Sequence, residues 1–102
     1  MSTITKDTIW TKLSGVFDPE LNIPVTDLGI IYDIAIENNT VVITFTLTYP
    51  GCPLADLLDK EIRKAVHRVE DVKFVDTKLV WEPPWGPDMM SETARFSLGY
   101  KI

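Results

Sequence analysis

Hydrophobic and polar residues alternate along most of TVVITFTLT (residues 40–48), with only Val42 out of step, a pattern that is typical of a half-buried β-strand. The preceding segment LGIIYDIAI (28–36) is also rich in β-branched residues, and ENN supplies turn residues between the two. Together these segments predict an antiparallel hairpin. VKFVDTKLVW (72–81) predicts a third strand.

In three other segments the hydrophobic residues are spaced as on one face of an α-helix. Residues 5–17 carry an apolar stripe that ends at Phe17, with Thr5 as the expected N-cap and Asp-Pro immediately after as the stop. Residues 53–69 carry a wider apolar stripe, which predicts a helix packed on a core. Residues 87–98 predict a short last helix.

The element order, α-β-β-α-β-α, predicts a two-layer α+β domain over residues 1–102, with helices on a small mixed or antiparallel three-stranded sheet. A helix between the second and third strands returns the chain to its starting end, so those strands should run parallel. Three segments then gather at one end of the sheet, termed here the loop end: residues 18–29, 49–53 and 82–91. All seven prolines lie in these segments. We therefore expect function at the loop end.

Composition narrows the class of protein. The 102 residues are 45% hydrophobic and 25% charged, as in ordinary soluble domains. The net charge of −5 argues against nucleic-acid binding, which needs a basic face. No apolar run approaches the ~20 residues that span a bilayer, so no membrane partner is expected. A single cysteine and an N-terminus without a signal peptide indicate a cytoplasmic protein.

The one cysteine, Cys52, lies where a predicted strand stops and a helix starts. Proline is favoured at the first helical position, so Pro53 puts Cys52 at or beside the N-cap. There the unpaired amides of Leu54 and Ala55, together with the helix dipole, would lower the pKa of the thiol, and Asp56 would oppose this. The alternative is that Cys52 is a buried structural residue.

Cys52 has few partners for chemistry within one subunit. The only histidine, His67, lies fifteen residues along the same predicted helix, roughly 22 Å away by helical rise. A thiol enzyme would therefore lack a nearby base. A protein-only zinc site needs about four ligands, and an iron–sulfur cluster usually takes four thiolates. Cys52 can supply one ligand, the others coming from a second subunit, a small thiol or a client protein.

Other loop-end residues are candidates for support or partner binding. Asp18 and Asp27 have strong structural roles as turn formers. The large apolar residues at this end can serve as core-closing side chains; they are Trp81, Trp85, Met89 and Met90. If exposed, the apolar residues form a partner surface instead. The full set of candidates is Asp18, Glu20, Asp27, Thr48, Trp85, Met89 and Met90.

With these motifs assembled, the sequence resembles the SufT-type, PaaD-like iron–sulfur cluster assembly family. The resemblance runs from about Thr5 to Gly99, and its carriers are specific in their order and spacing. They are DPEL (18–21), DLGIIYDI (27–34), TLTYPGCPLA (46–55), VWEPPWGPDMMSE (80–92) and LG (98–99). The resemblance implies an α+β fold and a non-enzymatic accessory role in maturing iron–sulfur proteins. Cys52 matches the family's GCP position and is implicated in metal or cluster handling.

The resemblance also implies partners and cargo. The partners would be iron–sulfur assembly machinery and client apoproteins, with a homodimer left open. The cargo would be a labile iron–sulfur cluster shared between subunits or with a client. One alternative is a PaaD-type maturation factor for an aromatic-degradation oxygenase, although the sequence stops at Ile102 without that branch's cysteine-containing extension. Another alternative is a pure protein-binding adaptor in which Cys52 is structural.

Overall fold

The computed structural model describes residues 4–19, 21–48 and 54–99. Glu20 and the segment 49–53, which includes Cys52, lie outside the described residues. The elements in chain order are α1 (Lys6–Leu13), β1 (Phe17–Asp18), β2 (Ile23–Pro24), α2 (Val25–Leu28), β3 (Ile31–Glu37), β4 (Thr40–Phe45), α3 (Ala55–His67), β5 (Phe74–Leu79), a 3-10 turn (Pro87–Met89) and α4 (Glu92–Ser97).

The main sheet has the strand order β3-β4-β5. β3 pairs antiparallel with β4, with Ile34 opposite Ile43, and β4 pairs parallel with β5, with Ile43 opposite Thr77. The turn between β3 and β4 uses Asn38 at a φ of 56°, a left-handed conformation that asparagine tolerates. The predicted hairpin and the predicted strand directions are therefore confirmed, and the sheet is mixed.

The core lies between this sheet and the helices. Along β4, Val41, Ile43 and Phe45 are buried while Val42 and Thr44 are partly exposed, so the alternation read from the sequence marks the core face. α1 contacts β3 and α3, and α3 contacts β5. The two-layer α+β architecture is thus confirmed. None of the described helices is long and apolar enough to cross a membrane.

α1 is shorter than the predicted helix over 5–17. Thr5 is its N-cap, as expected, and accepts a hydrogen bond from the Thr8 N–H. The helix ends at Leu13, because the following residues leave it to build a small hairpin in which the Val25 N–H donates to the Val16 carbonyl (2.9 Å). Phe17 belongs to that hairpin and is 50% exposed, so its placement on the buried stripe was wrong.

The first predicted strand begins three residues later than expected. Leu28 ends α2, a single helical turn, and Gly29 follows with a left-handed φ of 76°. This C-terminal cap turns the chain, so that β3 starts only at Ile31. β4 ends at Phe45 rather than at Thr48.

The predicted last helix over 87–98 is two elements. Met90 is extended, with a ψ of 151°, and separates the 3-10 turn from α4. Ser91 then caps α4 by accepting a hydrogen bond from the Ala94 N–H. The capping residue explains why the helix restarts there.

Candidate functional site at the loop end

Two of the three loop-end segments are held together by specific hydrogen bonds. The Ser91 N–H donates to the Asp27 carbonyl (2.8 Å), and the Trp85 indole N–H donates to the Leu28 carbonyl (2.7 Å). These bonds fasten the 82–91 segment onto α2. The predicted gathering of residues 18–29 and 82–91 at one end of the sheet is therefore confirmed, whereas the third segment, 49–53, lies outside the described residues.

The close approach of these segments depends on Gly29. A Cβ atom built on Gly29 would lie 2.2 Å from the carbonyl oxygen of Met89 and 2.7 Å from its carbonyl carbon. Glycine is needed here for its left-handed φ and also for its lack of a side chain. The chain at Met89 therefore packs directly on the α2–β3 junction.

Tyr32 makes a second attachment from β3. Its hydroxyl donates to the Pro83 carbonyl (2.8 Å) and lies 3.4 Å from Met89 Sδ. Burial raises the pKa of Tyr32, and the neighbouring Thr46 hydroxyl opposes that rise. Thr46 is fully buried, and none of the described groups meets the distance and angle limits for a hydrogen bond with its hydroxyl. Neither residue was among the candidates predicted from the sequence, although Tyr32 falls within the DLGIIYDI motif.

Of the polar candidates, Asp18 has a clear structural part. It is buried, its Oδ1 accepts from the Leu21 N–H (3.1 Å), and its carbonyl accepts from the Asn22 N–H (2.7 Å). These bonds hold the turn between β1 and β2. Asp27 and Thr48 are half-buried at the loop end.

The apolar candidates divide by exposure. Met90 is buried at 3% exposure and belongs to the core, so its side chain offers no surface to a partner. Trp85 and Met89 are half-buried. Trp81, expected as a core-closing residue, is 42% exposed, and Leu79 before it is 41% exposed. The exposed apolar surface at this end of the sheet therefore begins earlier in the chain than the candidates suggested.

α3 begins later than the position of Pro53 predicts. Its first residue is Ala55 and its N-cap is Leu54, which provides no side-chain hydrogen bond to the first turn. The N-cap is thus Leu54, and Cys52, which was expected at or beside the N-cap, lies two positions before it in sequence and outside the described residues. His67 ends the helix and is exposed, as predicted, about 20 Å from Leu54 by helical rise.

Charge is distributed unevenly between the two ends of the fold. The segments 18–29, 46–59 and 79–92 contain no lysine or arginine, whereas they contain several aspartates and glutamates. α3 carries its basic residues further along, starting at Lys60. Within the described ranges, no three His, Cys, Asp or Glu side chains are grouped so that they could hold a metal ion.

These features define a small two-layer α+β protein with an acidic loop end that is held together by hydrogen bonds. A family model described as iron–sulfur cluster assembly protein matches residues 6–77. The chain belongs to this family, as the resemblance in its motifs indicated.

Relatives with named functions match most of the chain. The chain is 39% identical over 100 residues to the Fe-S protein maturation auxiliary factor YitW of Bacillus subtilis, covering 97% of this chain and 98% of that protein. It is 33% identical over 85 residues to the Fe-S protein maturation auxiliary factor SufT of Staphylococcus aureus, covering 82% and 97%. The crystal structure of a domain of unknown function from Bacillus anthracis matches with a TM-score of 0.87 and 37% identity, covering 94% of this chain and 92% of that one.

Proposed function

We propose that this protein is an accessory factor in iron–sulfur protein maturation, which takes up an iron–sulfur cluster through Cys52 and passes it to client apoproteins. The observation that carries the proposal is the set of hydrogen bonds that holds the loop end together. Residues 82–91 are bonded to Asp27, Leu28 and Tyr32, at the same end of the sheet as Thr48 and Leu54, which flank the Cys52 segment in sequence. Membership of the family and the maturation roles named for its relatives support the same assignment.

The position of Cys52 in the chain suits a reactive thiol. The first-turn amides of α3 receive no side-chain cap from Leu54. Free amides and the helix dipole favour a nearby anion, and so favour the thiolate, which is the form that binds metal. Asp56, in the first turn, works against this and moderates the effect.

The cargo would be held weakly. One thiolate supplies a quarter of the ligands that an iron–sulfur cluster normally has, and the described residues add no cluster of metal-binding side chains. The remaining ligands would come from a second subunit, a small thiol or the client. A cluster bound in this way is labile and accessible, which suits delivery better than storage or electron transfer.

We do not assign an enzymatic activity to Cys52. A thiol nucleophile is normally activated by a base within hydrogen-bond reach. His67 lies at the opposite end of α3 and is exposed. Turnover of an acyl or disulfide substrate by the purified protein would reverse this part of the proposal.

Anaerobic reconstitution tests the proposal directly. The wild type, Cys52→Ser and the control His67→Ala are incubated with ferrous iron, sulfide and a small thiol, and followed by visible absorption and native mass spectrometry. We expect a labile cluster on the wild type and on His67→Ala, in a particle larger than a monomer, and no cluster on Cys52→Ser. A stable cluster on a strict monomer, or one that survives in Cys52→Ser, would contradict the proposal.

A transfer assay separates delivery from simple adaptor function. Each reconstituted protein is mixed with an apoenzyme whose activity requires a cluster, and the recovered activity is measured. Delivery through Cys52 predicts that Cys52→Ser fails to restore activity while His67→Ala succeeds. Normal client maturation with Cys52→Ser would instead favour the adaptor with a structural cysteine.

A further inference from the structure

β5 is an edge strand, and its hydrogen-bond pattern shows which groups face outward. The Phe74 N–H donates to the Asn39 carbonyl (3.2 Å), and the Val80 N–H donates to the Phe45 carbonyl (2.9 Å). Even-numbered residues of β5 thus direct their backbone groups toward β4. Because alternate residues of a strand bond to opposite sides, the odd-numbered residues from Val75 onward direct theirs to the open edge.

The first half of that edge is already occupied by side chains. Arg63 Nη1 donates to the Val75 carbonyl (3.0 Å), and Asp76 Oδ1 accepts from the Thr77 N–H (3.0 Å). Arg63 is itself fixed by Asp59 through an ion pair of 3.1 Å. Such contacts prevent another strand from pairing at residues 75–77.

The second half of the edge lacks this protection. Leu79 and Trp81 are 41% and 42% exposed. Among the described residues, none donates to or accepts from the outward backbone groups of Leu79 or the backbone of Trp81. An apolar, unpaired edge next to the loop end is the feature that natural sheets otherwise blunt with charges or prolines.

The charges around this edge define what it would accept. Asp56, Glu82 and Asp88 are exposed at the loop end, and the segments 18–29, 46–59 and 79–92 have no basic residue. Two cations lie near this edge: Lys78, which faces away from Leu79 because side chains alternate along a strand, and Arg63, whose charge is paired with Asp59. At this edge a positively charged partner is therefore favoured over a second copy of the chain, whose own loop end is acidic.

We propose that Leu79–Trp81 is a docking edge for an extended, lysine- or arginine-rich segment of a partner protein. The segment adds to β5 as a short strand, its main chain bonding to the free groups at Leu79, its apolar side chains covering Leu79 and Trp81. A basic side chain lies over the Trp81 indole. This inference goes beyond cluster handling and does not depend on Cys52.

The test uses a defined probe, a fluorescein-labelled peptide of alternating lysine and valine, measured by fluorescence anisotropy with the full chain. We expect binding that weakens as salt rises. We expect Trp81→Ala and Leu79→Lys each to weaken it about tenfold or more, as for a central contact of an interface. The matched control is Phe74→Ala, because Phe74 lies on the same strand, is 66% exposed and sits at the protected half of the edge. Phe74→Ala should bind like the wild type.

Two comparison peptides distinguish strand addition from charge attraction alone. A glutamate–valine peptide should bind at least tenfold more weakly, and so should a lysine–valine peptide interrupted by prolines, which keeps the charge but cannot pair with an edge. Absence of binding by the lysine–valine peptide, equal binding of the proline-containing peptide, or no effect of Trp81→Ala and Leu79→Lys would overturn the proposal. Light scattering that shows self-association lost in Leu79→Lys would assign the edge to a second copy and would also overturn it.

Discussion

Replacing Gly29 with alanine should disrupt the loop end by adding one methyl group. In the native structure this Cβ would lie 2.2 Å from the Met89 carbonyl oxygen, closer than any stable contact. The atoms that it meets belong to backbone, which cannot rotate away as a flexible side chain can. Gly29 also has a φ of 76°, which alanine adopts at a cost. The 87–91 segment must therefore move away from the α2–β3 junction.

The size of the effect follows from two contributions. The left-handed backbone conformation costs an L-residue about 1–2 kcal/mol. Moving Met89 away breaks or weakens the bond from the Ser91 N–H to the Asp27 carbonyl, worth about 1 kcal/mol. We therefore expect the free energy of unfolding to fall by about 2–3 kcal/mol, which for a domain of this size lowers the Tm by about 10–20 °C.

Two other glycines provide matched controls. Gly99 has a φ of 82° but open space around the position of a Cβ, so Gly99→Ala carries the backbone cost alone. Gly15 has no positive φ, and its Cβ would make an ordinary contact of 3.5 Å, so Gly15→Ala should leave stability within about 0.5 kcal/mol of wild type. The free energies come from urea titrations followed by circular dichroism. Indole fluorescence, compared with that of Trp10→Phe and Trp81→Phe backgrounds, reports on Trp85, which is bonded to Leu28 beside Gly29.

Equal destabilisation by Gly29→Ala and Gly99→Ala would refute the reasoning. It would mean that the added methyl group meets no rigid backbone, and hence that Met89 does not pack on Gly29 as the structure shows. A Gly29→Ala protein with wild-type stability would contradict the left-handed turn as well.

Three further predictions concern single side chains. Burial raises the pKa of Tyr32 above its value in the unfolded chain, so the stability that this residue contributes is complete below pH 10 and is lost as the pH rises further. In urea titrations at increasing pH, Tyr32→Phe should reduce this alkaline loss of stability. An unchanged dependence of the free energy of unfolding on pH would contradict the prediction. Arg63→Ala should lower the free energy of unfolding by about 1–2 kcal/mol, because the guanidinium joins α3 to β5 through several bonds while it remains partly exposed. Arg63→Lys should recover less than half of this loss, because an ammonium group cannot make the same set of hydrogen bonds as the planar guanidinium. Cys52 should react with iodoacetamide near neutral pH faster than a cysteine with a pKa of about 8.5, and faster still in Asp56→Asn; a measured thiol pKa at or above that reference would favour a structural cysteine.

Much of the fold was predictable because its signals are local or follow from chain connectivity. The alternation along β4 and the capping hydroxyl of Thr5 each mark an element directly. Strand direction follows from the number of times the chain reverses, which predicted that β4 and β5 are parallel. Whether the sheet as a whole is mixed or antiparallel depends on its strand order, which only the structure shows. The boundaries were harder, because they depend on tertiary contacts. The end of α1 is set by the bond between Val25 and Val16, nine residues apart in sequence.

In the candidate site, too, features that follow from local sequence were predictable and features that depend on tertiary contacts were not. Proline content and topology located the loop end, and the meeting of residues 18–29 with 82–91 followed from them. The bonds from Tyr32 and the indole of Trp85 join residues more than fifty positions apart, which no periodicity in the sequence encodes. The sequence leaves open whether the large apolar residues close the core or are exposed, and the structure divides them, with Met90 buried and Trp81 exposed, because burial depends on tertiary packing.

The proposed function and the proposed docking edge meet in one physical requirement. A chain with a single thiol cannot complete the coordination of a cluster, so transfer through Cys52 requires a partner that contributes ligands while it is bound. Such a partner must be held close to Cys52 without covering it. The edge at Leu79 and Trp81 is our candidate for this role, because β5 ends at the same end of the sheet as Thr48 and Leu54, the described residues that flank the Cys52 segment in sequence. Weak cluster binding and specific partner docking are then complementary. The docking edge would determine which client is served, and the incomplete ligand set would ensure that the cluster leaves with the client.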